Sequence, residues 1–124
     1  MKIFNKDYKV NFVDDNNVVV GFDDSQNCCE NFGWSITKEI PTYTGNASTE
    51  PDEPDTEGYL FDVLFYEEVH PQDKYFDCGG MVVFKLTKKG EDNLYLSLYN
   101  SHNGYYSHGF FMEVGGKRIH NNSL

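Results

Sequence analysis

Residues 94–100 constrain the fold more strongly than any other short stretch, because aliphatic side chains alternate there with polar or aromatic ones. The aliphatic side of the stretch is formed by Leu94, Leu96 and Leu98. A strict period of two is typical of a β-strand that buries one face. The apolar run Met81–Leu86 lies just before it, so we predict that the two runs pair as strands of an antiparallel meander.

Turn-forming residues between apolar runs predict how further strands connect. Asn103-Gly104 favours a tight hairpin turn, because both residue types tolerate the positive φ that a type I′ turn requires. We therefore predict a hairpin over residues 94–112. The cluster Asp14–Asn17 predicts a first hairpin over residues 8–22 in the same way.

One segment favours a helix. Ser25 stands at an N-cap position and Gly33 at a helix-ending position, so the residues between them could form about two turns of helix. A loop is the alternative, because asparagine is a poor helix former. Strands are predicted over residues 34–37 and 59–66. We expect a mainly β or α+β fold, built as one domain over residues 1–124 from an antiparallel sheet with at most one or two short helices.

The formal net charge of −10 is concentrated in one segment of the chain. Lysine and arginine do not occur between Lys38 and Lys74, and residues 39–73 contain ten carboxylates. The remaining residues carry ten acids against ten bases. We expect neither a nucleic acid nor a membrane as partner, because both attract clustered cations.

The acidic segment combines a loop at about residues 45–58 with the aromatic strand that follows it. The loop contains two prolines and five acids, so we expect it to be exposed. Carboxylates beside aromatic rings are typical of a surface that recognises a basic protein, because charges steer the encounter and rings hold it. A solubilising loop is the alternative interpretation. The candidate partner-binding residues are Glu50, Asp52, Glu53, Asp55, Glu57, Tyr59, Asp62, Tyr66, Glu67 and Glu68.

A second candidate site consists of Cys28, Cys29 and Glu30 with the turn His102–His108. Adjacent cysteines do not turn easily toward one ion, because they point to opposite faces of a strand. We expect no metal at this site. No phosphate-binding, dinucleotide-binding or hydrolase motif occurs, so we expect no cofactor and no enzymatic activity.

Two motifs resemble those of a known group of proteins. They are Asn27-Cys28-Cys29-Glu30 and the run Asn100–Phe110, which contains Asn-Gly-Tyr-Tyr-Ser. They resemble a small family of uncharacterised bacterial and phage-encoded proteins with no assigned activity. The resemblance extends from about Val10 to the C-terminus, and the loop 45–58 looks peculiar to this member. It implies a single bacterial domain and adds no mechanism.

The interpretation that fits these features best is a small acidic binding protein that neutralises a basic protein partner. An immunity protein, or another inhibitor of a toxin, would need no cofactor and no catalytic residues. Its partner could be a nuclease whose cationic active site the acids cover. We expect it to be monomeric before it forms the complex. We also expect it to be cytoplasmic, because three cysteines, two of them adjacent, do not suit a secreted disulfide framework, and no apolar run at the start suits a signal peptide. The alternative is a stand-alone domain with a ligand or metal site around Cys28, Cys29, Glu30 and the His102–His108 turn.

Overall fold

A computed structural model describes residues 1–23, 31–40, 55–69, 78–102 and 107–124. Within these ranges the chain forms nine strands and no helix, which confirms the predicted mainly β, antiparallel class. The strands are β1 (Lys2–Lys6), β2 (Lys9–Val13), β3 (Val19–Asp23), β4 (Asn31–Thr37), β5 (Leu60–Val69), β6 (Cys78–Thr87), β7 (Leu94–His102), β8 (Gly109–Val114) and β9 (Lys117–Ser123).

The strands form two antiparallel sheets. Sheet A has the order β1-β2-β3-β8-β9, and sheet B has the order β4-β7-β6-β5. The predicted first hairpin is confirmed, since β2 pairs with β3 and Val10 lies opposite Phe22. The predicted pairing of the two central runs is also confirmed, since Leu86 of β6 lies opposite Leu94 of β7.

The predicted hairpin over residues 94–112 is wrong. β7 pairs with β4 and β6 in sheet B, whereas β8 pairs with β3 and β9 in sheet A. Turn residues favour a local reversal, but they do not decide which sheet the next strand joins. That choice follows from packing, because Phe110 and Met112 of β8 are buried between the sheets and pair with residues of β3. The turn residues Asn103 and Gly104 themselves lie outside the described part of the chain.

The predicted helix end at Gly33 is also wrong, because Gly33 lies within β4. A Cβ added at Gly33 would lie 2.6 Å from the hydroxyl of Tyr99, which is its partner on β7. Glycine is therefore required here by the close approach of a tyrosine, not by a helix C-terminus. Phe32 belongs to the same strand, and the predicted helix residues before Asn31 lie outside the described ranges.

The core lies between the two sheets and is rich in aromatic rings. Leu94, Leu96 and Leu98 are at most 2% exposed, as their alternation predicted. Phe12 of β2 meets Trp34 of β4 edge to face, with ring centroids 5.0 Å apart. Each buried side chain of this size contributes roughly 1.5–3 kcal/mol of transfer free energy, so burial between the sheets is the main stabilising term.

Candidate protein-binding edge

β5 is an edge strand of sheet B, and none of the other described strands pairs with its outer edge. It carries three carboxylates, Asp62, Glu67 and Glu68. It also carries Leu64, which is 94% exposed and is the most exposed large apolar side chain in the described ranges. We call these four residues the acidic edge. Exposed apolar area among carboxylates is suited to contact with a protein that carries cations.

A bulge in β5 determines where these side chains point. Asp62 pairs with Lys85, but Tyr66 pairs with the adjacent residue Phe84, so three residues of β5 are left without partners in between. The backbone N–H of Leu64 donates a hydrogen bond to Oδ1 of Asp62 at 3.1 Å, which closes the bulge locally. Such an irregularity re-aims side chains and ends regular pairing. Here it exposes Leu64 and reverses the alternation of the residues that follow.

On the outer side of sheet B, the acidic edge borders an aromatic pair. Asp62 lies opposite Lys85 in the strand register, so it faces away from the core. The ring of Phe65 lies 5.8 Å from that of Tyr95, and the ammonium group of Lys85 lies 5.7 Å from the centroid of the Phe65 ring. The carboxylate is thus accompanied by rings and by one cation.

On the inner side, Tyr66 holds Glu68 in place. The hydroxyl of Tyr66 donates a hydrogen bond to Oε1 of Glu68 at 2.8 Å, and its ring stacks on His120 with centroids 4.0 Å apart. Burial raises the pKa of Tyr66 well above its usual value, and the hydrogen bond and negative charge of Glu68 raise it further. The hydroxyl therefore stays protonated and orients the carboxylate at the rim of the two sheets.

The structure places Tyr59 in the core, although the sequence indicated a contact at the surface. Tyr59 is 6% exposed, and its hydroxyl donates to the carbonyl of Asp92 at 2.9 Å. Burial raises the pKa of Tyr59, and the charges of Glu91, Asp92 and Asp55 raise it further, in that order. Its ring cannot reach a partner, so it is omitted from the surface that we propose below.

The remaining predicted residues do not join the acidic edge. Asp55 and Glu57 are exposed at the start of β5, where Oδ1 of Asp55 accepts a hydrogen bond from the N–H of Glu57 at 3.0 Å. The N-terminal ammonium group donates to the carbonyl of the intervening Thr56 at 2.8 Å. Glu50, Asp52 and Glu53 lie outside the described ranges. The structure therefore brings together Asp62, Tyr66, Glu67 and Glu68 from the predicted set.

The alternative site is described only at His108, because Cys28, Cys29, Glu30 and the side chain of His102 lie outside the described part. His108 is buried, stacks on Phe32 with ring centroids 4.0 Å apart, and donates from Nδ1 to the carbonyl of Asp23 at 2.6 Å. Among the described residues, no three His, Cys, Asp or Glu side chains lie close enough to hold a metal ion. That the protein binds no metal stays a prediction. No helix in the described ranges is both long and apolar enough to cross a bilayer.

Sequence reasoning missed Leu64 and the excess of cations over carboxylates on the strands of sheet A. A period of two already places Leu64 on the side of Asp62, so this alternation was a signal that could have revealed its exposure. The strands of sheet A carry five cations and two carboxylates, namely Lys2, Lys6, Lys9, Lys117 and Arg118 against Asp23 and Glu113. The alternation of Lys2, Phe4 and Lys6 within residues 2–6 was the signal that could have revealed a basic strand face.

Comparison with known proteins gives one match. No curated protein and no solved structure is significantly similar to this chain. The family described as a domain of unknown function (DUF7448) matches residues 1–112, which reach from before β1 into β8. The match starts earlier than Val10, where the motif resemblance began. The predicted membership of a small uncharacterised family is confirmed, and the chain belongs to the DUF7448 family.

Proposed function

We propose that this protein binds a basic protein partner through its acidic edge and neutralises it, as an immunity or inhibitor protein does. The partner would be a bacterial toxin domain, such as a nuclease whose cationic active site the carboxylates cover. The protein would act in the bacterial cytoplasm and be monomeric until it meets this partner. The observation that carries the proposal is the combination of Leu64 with Asp62, Glu67 and Glu68 on one exposed strand edge.

The negative charge of residues 39–73, which include β5, supports the proposal. Residues 39–73 contain ten carboxylates and no lysine or arginine, so β5 lies within a stretch of one sign. Charge of one sign attracts an oppositely charged partner over a distance and can raise the association rate roughly 10–10³-fold. The exposed Leu64 then supplies apolar area that contributes only after the two surfaces meet.

Two hydrogen bonds keep the acidic edge ordered before any partner arrives. The bond from Leu64 N–H fixes Asp62, and the bond from the Tyr66 hydroxyl fixes Glu68. A surface that is already ordered loses less conformational entropy on binding, which favours affinity. The inhibitor interpretation needs such a surface and needs no catalytic group.

The test is a pull-down from the native host with the wild-type protein and two variants that lose the same charge. The edge variant carries Asp62→Asn, Glu67→Gln and Glu68→Gln. The matched control carries Asp7→Asn, Asp15→Asn and Glu91→Gln, which are exposed acids outside β5. We expect wild type and control to capture the same basic protein and the edge variant to lose most of it. Equal capture by all three proteins would contradict a role for the acidic edge.

Neutralisation is tested on the captured partner itself. If the partner is a nuclease, wild-type protein should abolish its activity at a one-to-one ratio, and the edge variant should need a large excess. Equal loss of capture by the edge variant and the control would instead show that net charge alone matters. The acidic edge would then not be a binding surface of its own, because any three exposed acids would serve equally.

A further inference from the structure

The outer face of β1 is basic and aromatic, in contrast to the net charge of the chain. Ile3 lies opposite the buried Phe12, so Ile3 faces inward and Phe4 faces outward. Lys2 and Lys6 share the outward side with Phe4, because side chains alternate along a strand. All five residues of β1 are exposed, and Phe4 is 50% exposed. Lys9 lies opposite Lys6 and extends the basic surface onto β2.

The outer edge of β1 also carries backbone groups that pair with none of the described strands. Asp7 and Tyr8 have φ values of 52° and 60°, which is the geometry of a two-residue type I′ turn. Lys6 and Lys9 flank this turn, so they form a hydrogen-bonded pair. Hydrogen-bonded and non-hydrogen-bonded pairs then alternate along the hairpin, and Asn5 and Ile3 belong to the second kind. Ile3 and Asn5 consequently direct their N–H and C=O groups away from β2. No described strand pairs with that side of β1.

We propose that an extended acidic segment of another protein adds to β1 as a further strand of sheet A. The backbone groups of Ile3 and Asn5 would bind the main chain of this segment. Lys2, Lys6 and Lys9 would bind its carboxylates, and Phe4 would cover its side chains on the same face. A second copy of this chain is a poor occupant, because antiparallel pairing of two β1 strands places Lys2 opposite Lys6. The site differs from the acidic edge and does not rest on the function proposed above.

The turn next to β1 supports a contact role. Tyr8 is 80% exposed and adopts a positive φ that bulky side chains rarely take and that glycine takes without cost. Local packing does not require this ring, since it projects into solvent. It lies at the end of the free strand edge, where it would contact the last residues of an added strand. Such strain at an exposed position is more typical of binding sites than of scaffolds.

The test uses the full chain and a fluorescent peptide, Ser-Glu-Val-Glu-Val-Glu-Ser, with both ends capped. Its glutamates share one face when it is extended, so they can meet the lysines. We expect saturable binding by fluorescence anisotropy. A peptide with lysines in place of the glutamates should bind at least ~10-fold more weakly, because it meets like charges. A peptide with proline in place of both valines should also bind at least ~10-fold more weakly, because in antiparallel pairing the valines lie opposite Ile3 and Asn5 and it is their N–H groups that point toward β1.

Three protein variants locate the site. The double variant Lys2→Glu, Lys6→Glu should weaken peptide binding more than ~10-fold. The control Lys89→Glu, Lys117→Glu makes the same change in charge away from β1 and should weaken binding less than ~3-fold. Asn5→Pro should also weaken binding, because it removes an outward N–H without removing a bond to β2. Thermal unfolding checks that each variant is folded. If Asn5→Pro unfolds, the proline peptide tests the same hydrogen bonds from the other side.

Several outcomes would overturn the proposal. Absence of binding up to about 1 mM peptide would do so, as would equal binding of the proline peptide or unchanged binding by the Lys2→Glu, Lys6→Glu variant. A single-stranded oligonucleotide that binds more tightly than the peptide and displaces it would assign the surface to a nucleic acid instead.

Discussion

Asp14 is a buried carboxylate that links the two sheets at a turn. Its Oδ1 accepts hydrogen bonds from the N–H groups of Asn16 and Val18, and its Oδ2 accepts one from Phe61, each at 2.9 Å. Asp14 is only 4% exposed, so water cannot replace these bonds easily. The side chain thereby connects the β2–β3 turn of sheet A to β5 of sheet B.

We predict that Asp14→Ala lowers the free energy of unfolding by about 2–4 kcal/mol, because it leaves buried N–H groups without an acceptor. Asp14→Asn should lower the free energy of unfolding by less than Asp14→Ala, because one acceptor oxygen remains. It should still be destabilising, because the amide N–H₂ group faces a backbone N–H donor. Urea denaturation gives both values. Asp15→Ala, at the exposed neighbouring position, is the control and should change stability by less than about 0.5 kcal/mol. Equal effects at the two positions would contradict this role of Asp14.

Tyr66 should make the protein sensitive to alkali. Burial, followed by Glu68, raises its pKa in the folded state, whereas the unfolded chain ionises at the ordinary value of 10.0. Above this pH the unfolded state binds fewer protons than the folded state, so stability present below pH 10 is lost as the pH rises. We predict a shallower loss for Tyr66→Phe between about pH 9 and 11, measured by urea denaturation at each pH. Identical slopes for the two proteins would contradict the assignment.

At the scale of elements, Gly21 of β3 and Phe111 of β8 fit together across sheet A. They are paired in the register, and a Cβ at Gly21 would lie 2.3 Å from the Phe111 ring. The guanidinium carbon of Arg118 lies 4.2 Å from the centroid of the same ring. The ring therefore covers the glycine and supports a cation on β9.

We predict that Gly21→Ala lowers the free energy of unfolding by roughly 1–2 kcal/mol, because the ring must leave its position. The cost should vanish or change sign in a Phe111→Ala background, since alanine suits a strand better than glycine does. A double-mutant cycle by urea denaturation measures this coupling. Additive effects would show that the ring and the glycine act independently.

The individual strands could be predicted from the sequence, because alternation and turn residues are local signals. The run of residues 94–100 and the cluster Asp14–Asn17 each determined an element correctly. The sheet that each strand joins could not be predicted, because β7 and β8 both have an apolar face. Only packing between the sheets decides that β7 joins sheet B and β8 joins sheet A. Gly33 was misread because a helix end and a close tyrosine both require the absence of a side chain.

The acidic edge could be predicted in composition but not in geometry. The carboxylates of β5 were evident, while their directions depend on the bulge between Asp62 and Tyr66. The three unpaired residues of the bulge reverse the alternation, which sends Tyr66 inward, and Leu64 lies exposed among them. Tyr59 was misplaced because its hydroxyl finds an acceptor in the backbone of Asp92, which lies far along the sequence.

At the scale of the whole molecule, charge is divided between two edges. β5 carries three carboxylates, whereas β1 carries two lysines and no acid. The ring stack of Tyr66 on His120 places β5 next to β9, which is the edge of sheet A farthest from β1. A basic partner on β5 and an acidic segment on β1 would therefore bind different edges, which approach each other where the N-terminal ammonium group bonds Thr56. The net charge of −10 alone suggests only the basic partner.

For the basic partner, we predict that charge mainly affects the association rate constant and that apolar contact mainly affects the dissociation rate constant. Neutralising Glu50, Asp52, Glu53, Asp55 and Glu57 together should mainly slow association and flatten its dependence on salt. Charges that face solvent act at a distance and are screened over about 8–10 Å. Leu64→Ala should instead speed dissociation, because an apolar side chain contributes after docking. Neither change should lower stability, because Asp55, Glu57 and Leu64 are exposed and neutralising the acids removes mutual repulsion.

The measurement is surface-binding kinetics with the captured partner at two salt concentrations. Ile119→Ala is the control for Leu64→Ala, because it removes an exposed aliphatic side chain from β9, on the other sheet. Ile119→Ala should leave both rate constants unchanged. If the variant with five neutralised acids associates at the wild-type rate at both salt concentrations, these acids do not steer the partner. If Leu64→Ala and Ile119→Ala dissociate equally fast, contact is not made at the bulge, and the acidic edge would be disproved as the binding surface.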